Sequence, residues 1–242
     1  MAKKSQLNKK YLHFTYKNQN VRVFLDRVLI FRFFRSLHSR FWGVTGISIM
    51  TLGFTVCFAI RPDLLTISTA FSDFGTDVRT SPYFAGSVFA GAYGLWRWRN
   101  YLSRTWKRAM PVTGLITLTI LGLYVVALVP LTWNSRIHMM GLVVSGITML
   151  LTVVVDGLLS KPSRSGRRIH WRAIRVTSFF LILIGGWLTL GSSQLVGWYD
   201  VALLGETFML LGYLVWVGMK TYQGEGNRSQ LSKSLKKIVL ID

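Results

Sequence analysis

Six apolar stretches, most of them near twenty residues long, run through this chain of 242 residues. About 17–25 apolar residues in a helix cross the roughly 30 Å hydrocarbon core of a bilayer. The stretches cover residues 41–60, 81–96, 110–131, 137–159, 176–192 and 201–219. The second is short and draws on its flanks. The fourth and the sixth each contain one carboxylate, Asp156 and Glu206. All exceed a typical strand, and none alternates apolar with polar residues as a barrel strand does. In lipid the backbone must satisfy its own hydrogen bonds, so each stretch is expected to be a helix. The expected fold is all-α: a polytopic membrane helix bundle with six transmembrane helices.

Composition excludes the main alternatives. The chain is 51% hydrophobic and 16% charged, with a mean hydropathy of +0.39. A disordered basic tail is poor in apolar residues, and a soluble nucleic-acid binder is less apolar overall. Cys57 is alone, which excludes a disulfide scaffold.

Lys and Arg number 29 against 9 Asp and Glu, a formal charge of +20. Sorted by segment, 26 of the basic residues fall on one side of the expected membrane and three, Arg61, Arg79 and Arg136, on the other. The positive-inside rule places the heavy side in the cytoplasm. Both termini are then cytoplasmic, which needs an even number of spans and agrees with six. The charge excess therefore records orientation, and no nucleic-acid partner is expected. Trp42, Trp96, Trp98, Trp106, Trp133, Trp171 and Trp198 fall near expected span ends, where the ring favours the interface. Trp187 and Trp216 fall inside spans and read as packing residues. Gly86, Ala90 and Gly94 recur every fourth residue, a small-residue face for close helix packing.

The pattern divides the chain into three parts. Residues 1–40 form a basic cytoplasmic arm, too charged for a cleavable signal peptide. Val23, Ile30, Phe33, Phe34 and Leu37 could give it an interfacial helix on anionic lipid. Residues 41–219 form the transmembrane domain. Residues 220–242 form a basic tail in which Leu231, Leu235, Ile238 and Val239 have helical spacing.

Polar groups suited to chemistry gather on the outer side. The loop after the first span carries Asp73, Asp77 and Arg79. His138 stands at the outer mouth of the fourth span, and Glu206 lies five residues inside the sixth. An ionisable group at membrane depth is costly and points to function, or to a structural partner such as Arg79, Arg136 or His138. Asp156, near the inner end of the fourth span, is an intramembrane acid that cytoplasmic Arg or Lys could reach. The other histidines, His13, His38 and His170, fall on the cytoplasmic side, so His138 has no histidine partner for a metal. No HExxH, CxxC, GxSxG, P-loop or GxGxxG motif occurs. No metal and no cofactor is expected.

The order of these features resembles one family. An outer loop ISTAFSDFGTDVRTSPYF follows the first span, then come a small-residue span and a basic inner loop, and ALVPLTWNSRIHMMG leads into the fourth span. This layout resembles the FRAG/DRAM/Sfk family of six-helix membrane proteins, with Ser72, Asp73, Gly75 and His138 at the matching positions. Domain-of-unknown-function membrane families of similar layout match nearly as well. The long basic amino-terminal arm departs from the family pattern. The resemblance implies an outer-facing polar site involving Asp73 and His138, but no defined reaction.

Three functions are consistent with these residues. The first is a non-enzymatic protein that handles or organises lipid, with anionic lipid at its basic cytoplasmic face. The second is a small proton-linked transporter using Glu206 and Asp156. The third is a lipid-modifying enzyme with His138 as general base. The expected location is a prokaryotic cell membrane, with a eukaryotic endomembrane as the alternative.

Overall fold

The computed structural model describes residues 19–106, 109–159, 168–193, 196–198 and 200–223, with the backbone alone for 19–39, 168–169 and 223. Among these residues there are six α-helices and no strand. They are α1 (Gln19–Ile60), α2 (Ser81–Thr105), α3 (Met110–Leu128), α4 (Ser135–Leu159), α5 (Arg168–Gly191) and α6 (Ala202–Gln223). Five of them, all but α2, are long and apolar enough to cross a membrane. The architecture is that of a multi-pass membrane helix bundle.

The chain divides into two compact units, Met1–Arg40 and Phe41–Asp242. In the first, residues 19–40 have helical backbone. The apolar face expected on Val23 to Leu37 and the tail helix expected around Leu231 lie outside the described side chains and residues.

In the second unit, helix ends obey local sequence. Pro130 lacks a backbone donor, and α3 stops at Leu128, three residues short of the expected limit. The side chain of Asn134 accepts the Ile137 amide at 3.1 Å and caps α4, which starts at Ser135. The expected span 176–192 belongs to a helix that starts earlier, at Arg168.

α2 has 25 residues, so length is not what separates it from the others. Arg97, Arg99 and Arg104 and its many small and tyrosyl residues lower its apolarity. Its buried face is extensive, with Val88, Ala92, Leu95 and Trp98 all in the core. A helix shielded by protein on several sides needs less apolar surface than one facing lipid.

Glycines set the helix spacing within the pairs α1–α2, α3–α4 and α5–α6. Between α1 and α2, a Cβ on Gly94 would lie 2.5 Å from the Gly46 Cα. Between α3 and α4, a Cβ on Gly122 would lie 2.6 Å from the Gly141 carbonyl oxygen. Between α5 and α6, a Cβ on Gly205 would lie 2.6 Å from the Thr189 amide, and one on Gly185 would lie 2.6 Å from the Gly205 carbonyl oxygen. In each pair the backbones touch, and any side chain would force them apart. Close approach of this kind is how helices gain contact energy where hydrophobic exclusion between them is weak.

The small-residue face of α2 is shifted from the one expected. Gly94 lies in the contact, but a Cβ on Gly86 would meet nothing within 4 Å. The packed stripe runs instead through Ser87, Gly91, Gly94 and Trp98 against Gly53, Met50, Gly46 and Gly43 of α1. A strict four-residue repeat drifts about 40° per step around a 3.6-residue helix, so three- and four-residue steps must alternate to stay on one face.

Tryptophans close the half of the bundle near the α2–α3 connection. Trp98 and Trp216 meet edge to face with centroids 5.5 Å apart, and Tyr213 stacks on Trp216 at 5.4 Å. Trp98 and Trp106 are therefore core residues rather than interfacial ones. Conversely, Trp187 is 58% exposed and leans on Trp198 at 5.9 Å, so it is not a packing residue.

The paired glycines give a direct contrast. Gly94→Leu and Gly205→Val should each cost about 1–3 kcal/mol or more, lowering Tm by roughly 5 °C in detergent. Gly86→Leu should leave Tm nearly unchanged. Thermal unfolding with size-exclusion recovery as the readout measures all three.

Candidate functional site

The outer loop folds down onto the bundle because of its sequence FSDFG. Phe71–Gly75 is a turn of 3₁₀ helix, in which positions i and i+3 share a side. Phe71 and Phe74 therefore both turn inward. Phe71 stacks on Phe54 at 4.4 Å, and Phe74 meets Phe58 edge to face at 4.7 Å. The buried Thr80 hydroxyl donates to the Phe74 carbonyl at 2.7 Å. The Leu203 amide donates to the Ile67 carbonyl at 3.1 Å and ties the loop to α6.

The loop's charges are mostly spent on holding its shape. Asp73 accepts the Ala70 amide at 2.8 Å and caps the 3₁₀ turn. Arg61 bridges Asp63, at 2.6 Å, and Asp77. Asp77 also accepts the Arg79 amide at 2.7 Å. The Arg61 hydrogen bond holds the Asp63 carboxyl below its usual range, and Asp63 raises the Arg61 guanidinium in turn. A depressed carboxylate stays ionised at neutral pH and loses its contribution only as pH falls below the ordinary carboxylate range. Arg79 is exposed.

Two of the five expected outer residues do converge. His138 and Glu206 line one cavity of about 80 Å³, several times what one water occupies on the same measure. The cavity lies at the end of the bundle that carries the outer loop. Met50 and Phe54 of α1, Phe84 and Val88 of α2, and Leu123 and Val126 of α3 supply apolar wall. Ser72 of the loop and Ser145 of α4 add hydroxyls. Asp73, Asp77 and Arg79 do not line it.

His138 is 1% exposed. Its Nδ1 lies 2.7 Å from the Val129 carbonyl oxygen, while its Nε2 is buried with no hydrogen-bond partner. Glu206 accepts the Phe71 amide at 2.5 Å. No ion pair joins His138, Arg79 or Arg136 to Glu206 among the described residues. The expected side-chain partner of Glu206 is thus replaced by a backbone amide of the outer loop. Burying a carboxylate is tolerable only where such donors compensate.

The far end of the bundle holds Asp156. It is fully buried, with Lys220 at 2.5 Å, the Trp216 indole N–H at 3.2 Å and Arg175 at 3.4 Å. The Lys220 ammonium also lies 3.8 Å from the Trp106 ring centroid. Of the two roles open to Asp156, the structure shows the one reached by Lys and Arg side chains. Between the two ends, α4 buries His138, Gly141, Ser145, Thr148, Thr152 and Asp156 on one continuous face. Thr148 and Thr119 share a hydrogen bond at 2.8 Å, and the Thr148, Thr152 and Ser145 hydroxyls reach back to carbonyls of their own helix.

Sequence reasoning missed Ser145 and Arg61. Ser145 follows His138 by seven residues, two turns on the same face, and that spacing was the available signal. Arg61 opens the loop with Asp63 two residues on, but nothing local marks its second partner, Asp77. Among the described residues, no three His, Cys, Asp and Glu side chains cluster as metal ligands would. No family model, curated protein or solved structure matches the chain.

Lys220→Met should remove the nearest of the cations around Asp156, leave it Arg175 and the Trp216 indole, and cost about 2–3 kcal/mol. Adding Asp156→Asn should lose much less than the sum of the two single changes. Denaturant unfolding of the four proteins in one detergent closes the cycle.

Proposed function

We propose that this is a six-span membrane protein, with both termini in the cytoplasm, that binds lipid in the cavity between His138 and Glu206. The observation that carries the reading is the convergence of a buried, unpartnered His138 Nε2 and a buried Glu206 on one apolar cavity. Apolar walls with a few placed polar groups are the chemistry of a small-molecule site, and at about 80 Å³ the cavity has room for a head and its first carbons, the rest of the chain lying outside it. In a membrane protein, the most abundant molecule that combines an apolar body with a polar head is lipid. Of the positions that carry the resemblance to the FRAG/DRAM/Sfk family, Ser72 and His138 line this cavity and Asp73 does not.

The sixth span is α2. Its length suffices, and its arginines lie toward its end, where side chains can reach the cytoplasmic interface. The outer loop, His138 and Glu206 then face outward, while Asp156 and Lys220 lie at the cytoplasmic end. Anionic lipid would meet the basic cytoplasmic face. The convergence at the outer end favours lipid binding over proton-linked transport. The hydroxyls of α4 bond back to helix carbonyls, which is a structural use of them.

Topology is testable because Cys57, the sole cysteine, is buried. With an impermeant maleimide on intact cells, Ser68→Cys and Asn134→Cys should label. Ser103→Cys and Ser163→Cys should label only after permeabilisation. Labelling of Ser103→Cys and Ser163→Cys on intact cells, with Ser68→Cys and Asn134→Cys protected, would overturn the orientation.

Lipid binding is testable by mass spectrometry of the purified protein. Leu142→Trp should fill the cavity and reduce co-purified lipid at least about tenfold, with the same Tm or higher. Equal lipid in the folded Leu142→Trp protein would overturn the reading.

A further inference from the structure

The hydrogen-bond chemistry of the cavity wall specifies the head of the molecule it takes. This class of ligand goes beyond the lipid-binding reading, on which it rests.

His138 comes first. A carbonyl oxygen has no proton to give, so the short contact to Val129 needs the proton on His138 Nδ1. The tautomer is assigned from this network. A neutral ring then carries its lone pair on Nε2, the buried atom that has no partner. The Val129 carbonyl is available because α3 has just ended and Pro130 follows. The turn sequence between α3 and α4 therefore fixes which nitrogen of His138 serves the cavity.

The other polar groups lean the same way. One oxygen of Glu206 accepts from the Phe71 amide, and the carboxyl brings lone pairs rather than a cation to the cavity. The Ser145 hydroxyl gives its proton to the Leu142 carbonyl at 2.9 Å and keeps only lone pairs for the cavity. Ser72 can serve either way. None of the described residues lining the cavity is Lys or Arg. The wall is rich in acceptors and poor in donors.

We infer that the cavity selects an amphiphile whose head presents a hydrogen-bond donor, a hydroxyl or an ammonium, and that it rejects phosphate and carboxylate heads. A donor head meets the His138 lone pair and the Glu206 carboxyl. An anionic head meets lone pairs and no cation, in a site where unmet polar groups are costly.

The test uses the full-length protein in an alkyl dimethylamine-oxide detergent, which has no donor of its own at neutral pH. Native mass spectrometry compares 1-octanol, octylammonium, 1-methoxyoctane, octanoate and octyl phosphate. Octanol or octylammonium should bind at least about tenfold more tightly than 1-methoxyoctane, the effect of one well-made hydrogen bond. The two anions should bind no better than the ether. A preference for octanol identifies a hydroxyl head. A preference for octylammonium that Glu206→Gln removes identifies an ammonium head. His138→Ala should bring octanol down to the level of the ether. If that variant does not fold, the ranking on the unaltered protein decides alone. Equal binding of all five probes would leave lipid binding standing and overturn donor selection, as would tightest binding by an anion. Binding by none of them would overturn both.

Discussion

The close approach of helix backbones across glycine is the constraint on which the rest of this structure depends. In an apolar medium, helices gain little from hiding apolar surface, so contact must come from fit. Gly46 with Gly94, Gly122 with Gly141, and Gly185 with Gly205 each let two backbones touch within a pair of consecutive helices. Those contacts hold the paired helices at backbone-to-backbone distance. The cavity is the space left where five of the helices and the outer loop meet. Among the described residues, no glycine lines it.

The polar groups of the bundle are divided between its two ends, and the two ends solve burial differently. Asp156 is surrounded by Lys220, Arg175 and the Trp216 indole, so its charge is met by charge and by a donor. Such a cluster joins α4, α5 and α6 and resists change. Glu206 has a backbone amide instead, and His138 has a carbonyl on one nitrogen and no partner on the other. A site with hydrogen-bonding capacity left over can bind something. A site that has used its capacity can only hold the fold.

Much of this could be read from the sequence, for reasons that differ by residue. His138 and Glu206 stood out because an ionisable group inside an apolar stretch has few uses. Their convergence was not legible, because it depends on how α4 and α6 lie against the outer loop. Asp73 and Asp77 stood out equally well, but their roles proved local, as a turn cap and an Arg61 clamp. A carboxylate in a loop has no signature that separates capping from binding. Gly86 illustrates the same limit. Its spacing matched a packing stripe, yet the contact face is set by which residues the neighbouring helix meets. Trp98 and Trp187 exchanged expected roles because depth along a span does not determine direction around it.

What the sequence determined by itself is the class of structure, long apolar helices, from the length and apolarity of the stretches. This arises from the cost of burying a peptide group in hydrocarbon, which acts on each segment independently of its neighbours. The local turn before α4 set a carbonyl against one nitrogen of His138, but tertiary structure alone decided which distant polar groups meet. It brought His138 and Glu206 to one cavity and turned the Phe71 amide onto Glu206. Hydrogen bonds act over about 3 Å, while the residues that make them stand up to 135 positions apart in the chain, so only packing can bring them together.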